Sequence, residues 1–135
     1  MCLVLSNIDF DQSLVHKVYK VVRRRYNRYV SPHMEHEWFF GENISSRNFA
    51  ILETERAHGT VSFGFHFFLH MRDAINDVKW HKQSGLSNAE FTILECEVKP
   101  EDFVAKGTYN GVDDIPDADC VVYTKCNVEK IALEL

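Results

Sequence analysis

A chain of 135 residues with 45% apolar and 26% charged residues has the size and composition of one ordinary globular domain. Three prolines and six glycines argue against linkers and low-complexity tracts. The net charge of −5 speaks against a generic nucleic-acid binder, because non-specific affinity for phosphate comes from surplus Lys and Arg.

The chain begins with five apolar or small residues, followed by Asp9 and Asp11 with no basic leader. That is too short for a signal-peptide core, and no later apolar run approaches the roughly 20 residues that span a bilayer. The expectation is a cytoplasmic protein with no membrane partner. Cys2, Cys96, Cys120 and Cys126 form no CxxC pair, so neither a disulfide scaffold nor zinc-ribbon or thioredoxin chemistry is signalled.

Residues 14–23 are dense in β-branched side chains and favour a strand, although Leu14, Val18, Val22 and Tyr26 also recur every four residues as on a helix. Residues 25–27 read as a turn in which Asn27 tolerates a left-handed backbone, and residues 28–30 return as the partner strand before Ser31-Pro32. A hairpin is therefore predicted. Trp38, Phe39 and Phe40 cannot all point inward on a strand, because side chains alternate, so at least one should be exposed or covered by another element. Residues 43–48 read as a polar loop, followed by a short apolar run at 49–52.

Residues 60–69 carry the clearest pattern: Phe63, Phe65 and Phe67 alternate with Ser62, Gly64 and His66, as on a strand with one buried face. Gly64 between two phenylalanines predicts a close approach of another backbone or a ligand. A helix follows over about 71–83, with Ala74, Ile75, Val78 and Lys82 on one stripe and Gly85 as its C-terminal cap. Residues 91–98 form a second strong strand with Leu94, Cys96 and Val98 on one face and Glu95 and Glu97 on the other. Residues 107–119 read as the longest loop, and 120–123 and 128–133 as closing strands. The sum is a single α+β domain over 1–135, with five to seven strands in a largely antiparallel, twisted sheet and one main helix.

Charge is segregated. Between residues 12 and 34 there are six cations (Lys17, Lys20, Arg23, Arg24, Arg25 and Arg28) and no acid, whereas residues 95–119 hold eight carboxylates against Lys99 and Lys106. The two segments either offset each other in the fold or present a charged face to a partner. Arg23, Arg24, Arg25 and Arg28 interleave with Tyr26 and Tyr29, and Trp38 lies shortly after. Such a mix serves single-stranded nucleic acid through stacking and charge, and protein interfaces, whose hot spots favour Arg, Tyr and Trp. The overall negative charge favours a protein.

Metal and nucleophile signatures are weak. His33, His36 and Glu37, or His66 and His70, would have to converge with a further ligand, and neither set has the HExxH order; ordinary histidines are the expectation, with no metal. No GxSxG, P-loop or GxGxxG stands in the chain. The pairs Glu95/Glu97 and Asp117/Asp119 read as solvated carboxylates rather than general acids and bases.

Gly64-Phe65-His66-Phe67, Asp73-Ala74 on the following helix, and the strand at 92–98 resemble the middle of small ADP-ribosyltransferase-like domains. Tyr19-Lys20-Val21-Val22 and Cys120-Val121-Val122-Tyr123 resemble the family's first and last motif strands. The same order of elements resembles short uncharacterised bacteriophage proteins. The resemblance implies NAD as cofactor and Lys20, His66 and Asp119 as the catalytic candidates, with Lys20 or Arg23 nearest the nicotinamide ribose. Active members have Tyr or Ser where His66 or Ser62 falls and a Glu where Asp119-Cys120 stands, so the resemblance also allows a scaffold kept for binding alone. The reading carried forward is a small intracellular accessory protein of bacteriophage type that needs no cofactor and inhibits a host protein by binding it. Arg23, Arg24, Arg25, Tyr26, Arg28, Tyr29 and Trp38 are its contact residues. An NAD-dependent ADP-ribosyltransferase and a nucleic-acid module working through a basic hairpin at 17–29 are the alternatives.

Overall fold

A computed structural model of the chain describes residues 3–31, 36–45, 59–61, 64–85, 88–109 and 117–135. Among them, eleven strands pair into one sheet: β1 (Leu3–Leu5), β2 (His16–Arg25), β3 (Arg28–Val30), β4 (Glu37–Trp38), β5 (Gly41–Ile44), β6 (Thr60–Val61), β7 (Phe65–Phe68), β8 (Glu90–Val98), β9 (Phe103–Tyr109), β10 (Ala118–Tyr123) and β11 (Lys125–Glu134). The main path runs β5-β11-β8-β2-β7-β10-β9-β1-β6, while β3 and β4 continue sideways from the outer end of β2. Every pairing is antiparallel. The helix α1 (Met71–Gln83) lies against β2, β7 and β8, and a short 3-10 turn (Pro100–Asp102) joins β8 to β9. The architecture is α+β in broad terms, richer in strands than the five to seven expected.

Each face of the sheet buries its own core. On the helix side Ala74 and Val78 pack with Val21, Phe68, Phe91, Ile93, Cys120 and Val122. On the other side Phe10 and Trp38 cover Val18, Val22, Phe65, Phe67, Leu94, Cys96, Val121 and Tyr123. Strand alternation explains the split: in β2, Val18 and Val22 face one way and Val21 the other. Because both faces are covered, β7 and residues 91–94 of β8 are buried throughout, rather than on alternate residues as in a one-sided sheet.

Phe65 and Phe67 are core residues as expected; Phe63 lies outside the described residues. The run at 60–69 is not one strand, however. Gly64 has φ +84 and turns the chain, so that β6 pairs with β1 while β7 pairs with β10. A Cβ on Gly64 would stand 2.8 Å from Val122 Cγ1 and 3.2 Å from Tyr123 O; the close approach is that of β10, through a side-chain methyl as well as its backbone. Residues 107–109 belong to β9 and not to a loop. Gly107 reads as a turn residue in sequence, yet its hydrogen is what β1 requires, since a Cβ there would collide with Val4 O. Asn43 and Ile44 likewise lie in β5 against β11 instead of in a polar loop; the apolar run at 49–52 lies outside the described residues.

The helix occupies its predicted span, and Gly85 follows at φ +104. Its buried side chains are Ala74, Asp77, Val78 and His81, so the inward stripe leans further toward Asp77 than Ile75 and Lys82 predict. Asp77 Oδ2 sits 3.3 Å from His81 Nε2, which lets two polar groups share that buried face. No helix among the described residues is long and apolar enough to cross a membrane.

Candidate functional site

The hairpin prediction holds: Arg23 pairs with Val30, Arg24 with Tyr29 and Arg25 with Arg28, closed by the two residues Tyr26 and Asn27. The left-handed residue is Tyr26, at φ 57, and not Asn27. Two-residue hairpin loops need positive φ at their first central position to follow the strand twist, and here a bulky side chain takes that place. Nothing shields its ring, and Tyr26 is 95% exposed.

Residues directly opposite each other in an antiparallel pair share a face. Arg24 and Tyr29 therefore share one face with Trp38, which pairs with Tyr29, while Arg23, Val30 and Glu37 share the other with Arg25 and Arg28. Arg24, Arg25 and Arg28 are exposed, Arg23 and Tyr29 half-buried. Arg28 Nε lies 3.8 Å from Glu37 Oε1, an exposed pair that contributes little. Among the described residues no ion pair engages Arg24 or Arg25, although Glu90 lies opposite Arg24 in the register.

Charge offset does occur, but at the other end of β2. Lys17 Nζ sits 2.7 Å from Glu129 Oε2 and 3.9 Å from Glu95 Oε2, and the Glu129 contact raises the lysine pKa. Lys130 joins Glu95 at 3.6 Å. The basic and acidic segments thus meet at Lys17, while among the described residues Arg24 and Arg25 have no such partner.

Trp38 corrects the expectation of an exposed contact residue. It is 2% exposed, stacked obliquely on Phe65 at 4.6 Å, and its Nε1 donates to Ser31 Oγ at 2.6 Å. The exposed members of the aromatic triplet are Phe39 and Phe40, at 59% and 56%. Their turn is held by Asn43, a buried residue of β5. Its Oδ1 accepts from the Phe39 N–H at 3.1 Å, and its Nδ2 donates to Phe39 O at 2.7 Å and Gly41 O at 3.1 Å. The Phe40 ring meets Tyr29 edge-on at 6.3 Å, which joins this turn to the arginine ribbon. Sequence reasoning missed this pair. The available signal was the triplet itself together with Gly41, which takes φ +90.

The three catalytic candidates do not converge. Lys20 shares the face of Leu94, and its Nζ lies 5.5 Å from the Trp38 ring centre and donates to His66 O at 3.1 Å. Burial lowers its pKa, with Asp77 as the largest opposing charge. His66 pairs with Val122, so its ring lies on the opposite face from Lys20, with Nε2 2.9 Å from Val61 O. Burial moves its pKa down to about 4. Asp119 is half-buried at the start of β10, on the Lys20 face but with β7 between them and two positions further along the strands.

Among the described residues no three His, Cys, Asp or Glu side chains come together as a metal site. His33 is outside them, and Glu37 faces Arg28 at 3.8 Å. His36 is half-buried against Trp38, with burial lowering its pKa, and His70 is exposed before α1. Glu95 is engaged by Lys17 and Lys130, and Asp117 is exposed, so neither carboxylate pair forms an enclosed acid–base site. An open groove of about 420 Å³ runs past Leu5, Asn7, Gln12, Phe103 and Lys106, away from all of these residues. No protein-family description, curated protein or solved structure matches the chain.

Proposed function

We propose that this chain is a protein-binding module whose partner docks on the β2–β3 ribbon, and that it inhibits a host protein by occupying its surface, as a bacteriophage accessory protein does. One observation carries the reading: Arg24 and Arg25, which no ion pair engages among the described residues, lead directly into a tyrosine that is almost fully exposed at the end of the ribbon. Exposed arginines and aromatics on a regular hairpin match the residue types that dominate protein hot spots. A single strained, exposed Tyr is consistent with a position kept for contact rather than for folding. The separation of Lys20, His66 and Asp119 supports binding over NAD chemistry, and the net charge of −5 supports a protein over nucleic acid.

The test is capture from a bacterial lysate by the immobilised parent, by the double variant Arg24→Glu/Arg25→Glu and by Asp119→Ala. The charge reversal should abolish capture with the melting temperature nearly unchanged, and Asp119→Ala should retain it. Release of nicotinamide from NAD by the parent, lost in Asp119→Ala, would sink the proposal.

A further inference from the structure

On β2, Lys20 stands between Val18 and Val22 on the face that packs under Trp38, so its side chain enters an apolar core. Its amine has two neighbours there: the His66 carbonyl oxygen, to which Nζ donates at 3.1 Å, and the Trp38 ring, whose centre is 5.5 Å away. Neither carries a charge. Among the described residues no carboxylate comes within ion-pair distance of it. Asp77, the largest opposing charge, belongs to α1 and lies on the other face of the sheet. Cys96 and Cys126, on the face of Lys20, bring thiols rather than carboxylates. His36 packs on the same Trp38 ring at 4.9 Å, so a second positive charge there would oppose the first.

An ammonium taken out of water without a counter-ion gives way to the neutral amine, and burial is the leading cause of the lowered Lys20 pKa. Other lysines are held the opposite way: Lys17 and Lys125 sit 2.7 Å and 3.1 Å from Glu129 and Glu42, which raises the pKa of each. Trp38 and Phe65 are buried, whereas Lys20 and His36 are half-buried, so both bases stand where the aromatic wall meets solvent. A neutral amine is a nucleophile, and its setting selects the electrophile. Bringing a carboxylate or phosphate into this apolar setting would cost its hydration, whereas an uncharged alkyl chain packs on the rings. We propose that Lys20 is a covalent site for small uncharged aldehydes, which its amine captures as an imine. The Nζ lone pair bonds to the carbonyl carbon and one amine proton passes to the oxygen, giving a carbinolamine. The second amine proton then leaves with the hydroxyl as water while the C=N bond forms. No oxidant or reductant enters, and the step does not depend on what docks on the ribbon.

Propanal is the probe, with cyanoborohydride to fix the imine as a secondary amine and peptide mass spectrometry to read each lysine of the folded parent. At pH 7 Lys20 should be modified roughly tenfold faster than exposed Lys79 and Lys99, the factor that one unit of pKa supplies. The ratio should shrink as the pH rises to about 10, where exposed lysines also become neutral. Lys20→Met, which keeps an unbranched stem, should lose the fast phase with the rates at Lys79 and Lys99 unchanged. The comparison among lysines of the parent holds whether or not that variant folds. A Lys20 rate no more than about twice that of Lys79 would overturn the proposal. So would a ratio that is constant with pH, since the speed would then owe nothing to a neutral amine.

Discussion

Two residues carry conformational or protonation strain that can be measured. Tyr26 is a bulky residue at φ 57, a backbone state that costs L-residues other than Gly and Asn roughly 1–2 kcal/mol. Its ring makes no compensating contact at 95% exposure. Tyr26→Asn should therefore raise stability by about 1 kcal/mol, a few degrees in melting temperature, while weakening partner capture. A melting temperature that falls would show that the ring is supported after all. His66 bears on pH. Its pKa is about 4 in the fold, against an ordinary 6.5, so on acidification the unfolded chain takes up the proton first. The stability it contributes is complete above pH 6.5 and is lost as pH falls from about 6.5 to about 4, on the order of 3 kcal/mol over the full span. Urea unfolding at pH 7 and pH 4.5 should show this loss in the parent and a much smaller one in His66→Gln. Equal losses would assign the acid sensitivity to other groups.

At the scale of elements, β7 carries the core on the Trp38 side of the sheet. Phe65 stacks on Trp38 at 4.6 Å and meets the His36 ring at 4.7 Å. Phe65→Ala should cost about 3–4 kcal/mol through lost burial and an unfilled cavity, lowering the melting temperature by roughly 10 °C. A change of only a degree or two would contradict this packing. What the sequence discloses about elements follows from how local their signals are. β2, α1 and β8 are legible because their periodicities lie within one segment. β1 and β9 are not, because Val4 pairs with Thr108 across most of the chain, and Gly107 takes the appearance of a turn residue while serving that contact. The candidate surface divides in the same way. The arginine ribbon is visible as a local run, but the burial of Trp38 depends on its pairing with Tyr29, and the display of Phe39 and Phe40 depends on the Asn43 side chain, neither of which the triplet reveals.

The whole molecule is acidic, yet its proposed contact is basic, and this sets apart two ways in which charge reversal could act. Arg24→Glu/Arg25→Glu moves the net charge from −5 to −9. A loss of binding could then follow either from local mismatch or from general repulsion of an acidic partner. Lys79→Glu/Lys99→Glu makes the same change of net charge at two exposed positions, one on α1 and one after β8. Screening in physiological salt has a length of about 8 Å, so a charge acts mainly on its immediate surroundings. The lysine reversals should accordingly leave capture within about twofold of the parent, against near-complete loss for the arginine reversals. Kinetics should separate them further. For the arginine variant, both the association rate and its salt dependence should fall, because steering and the docked contact use the same residues. Comparable losses in the two variants would mean that the partner senses the charge of the whole protein, and the ribbon would lose its claim to be the contact.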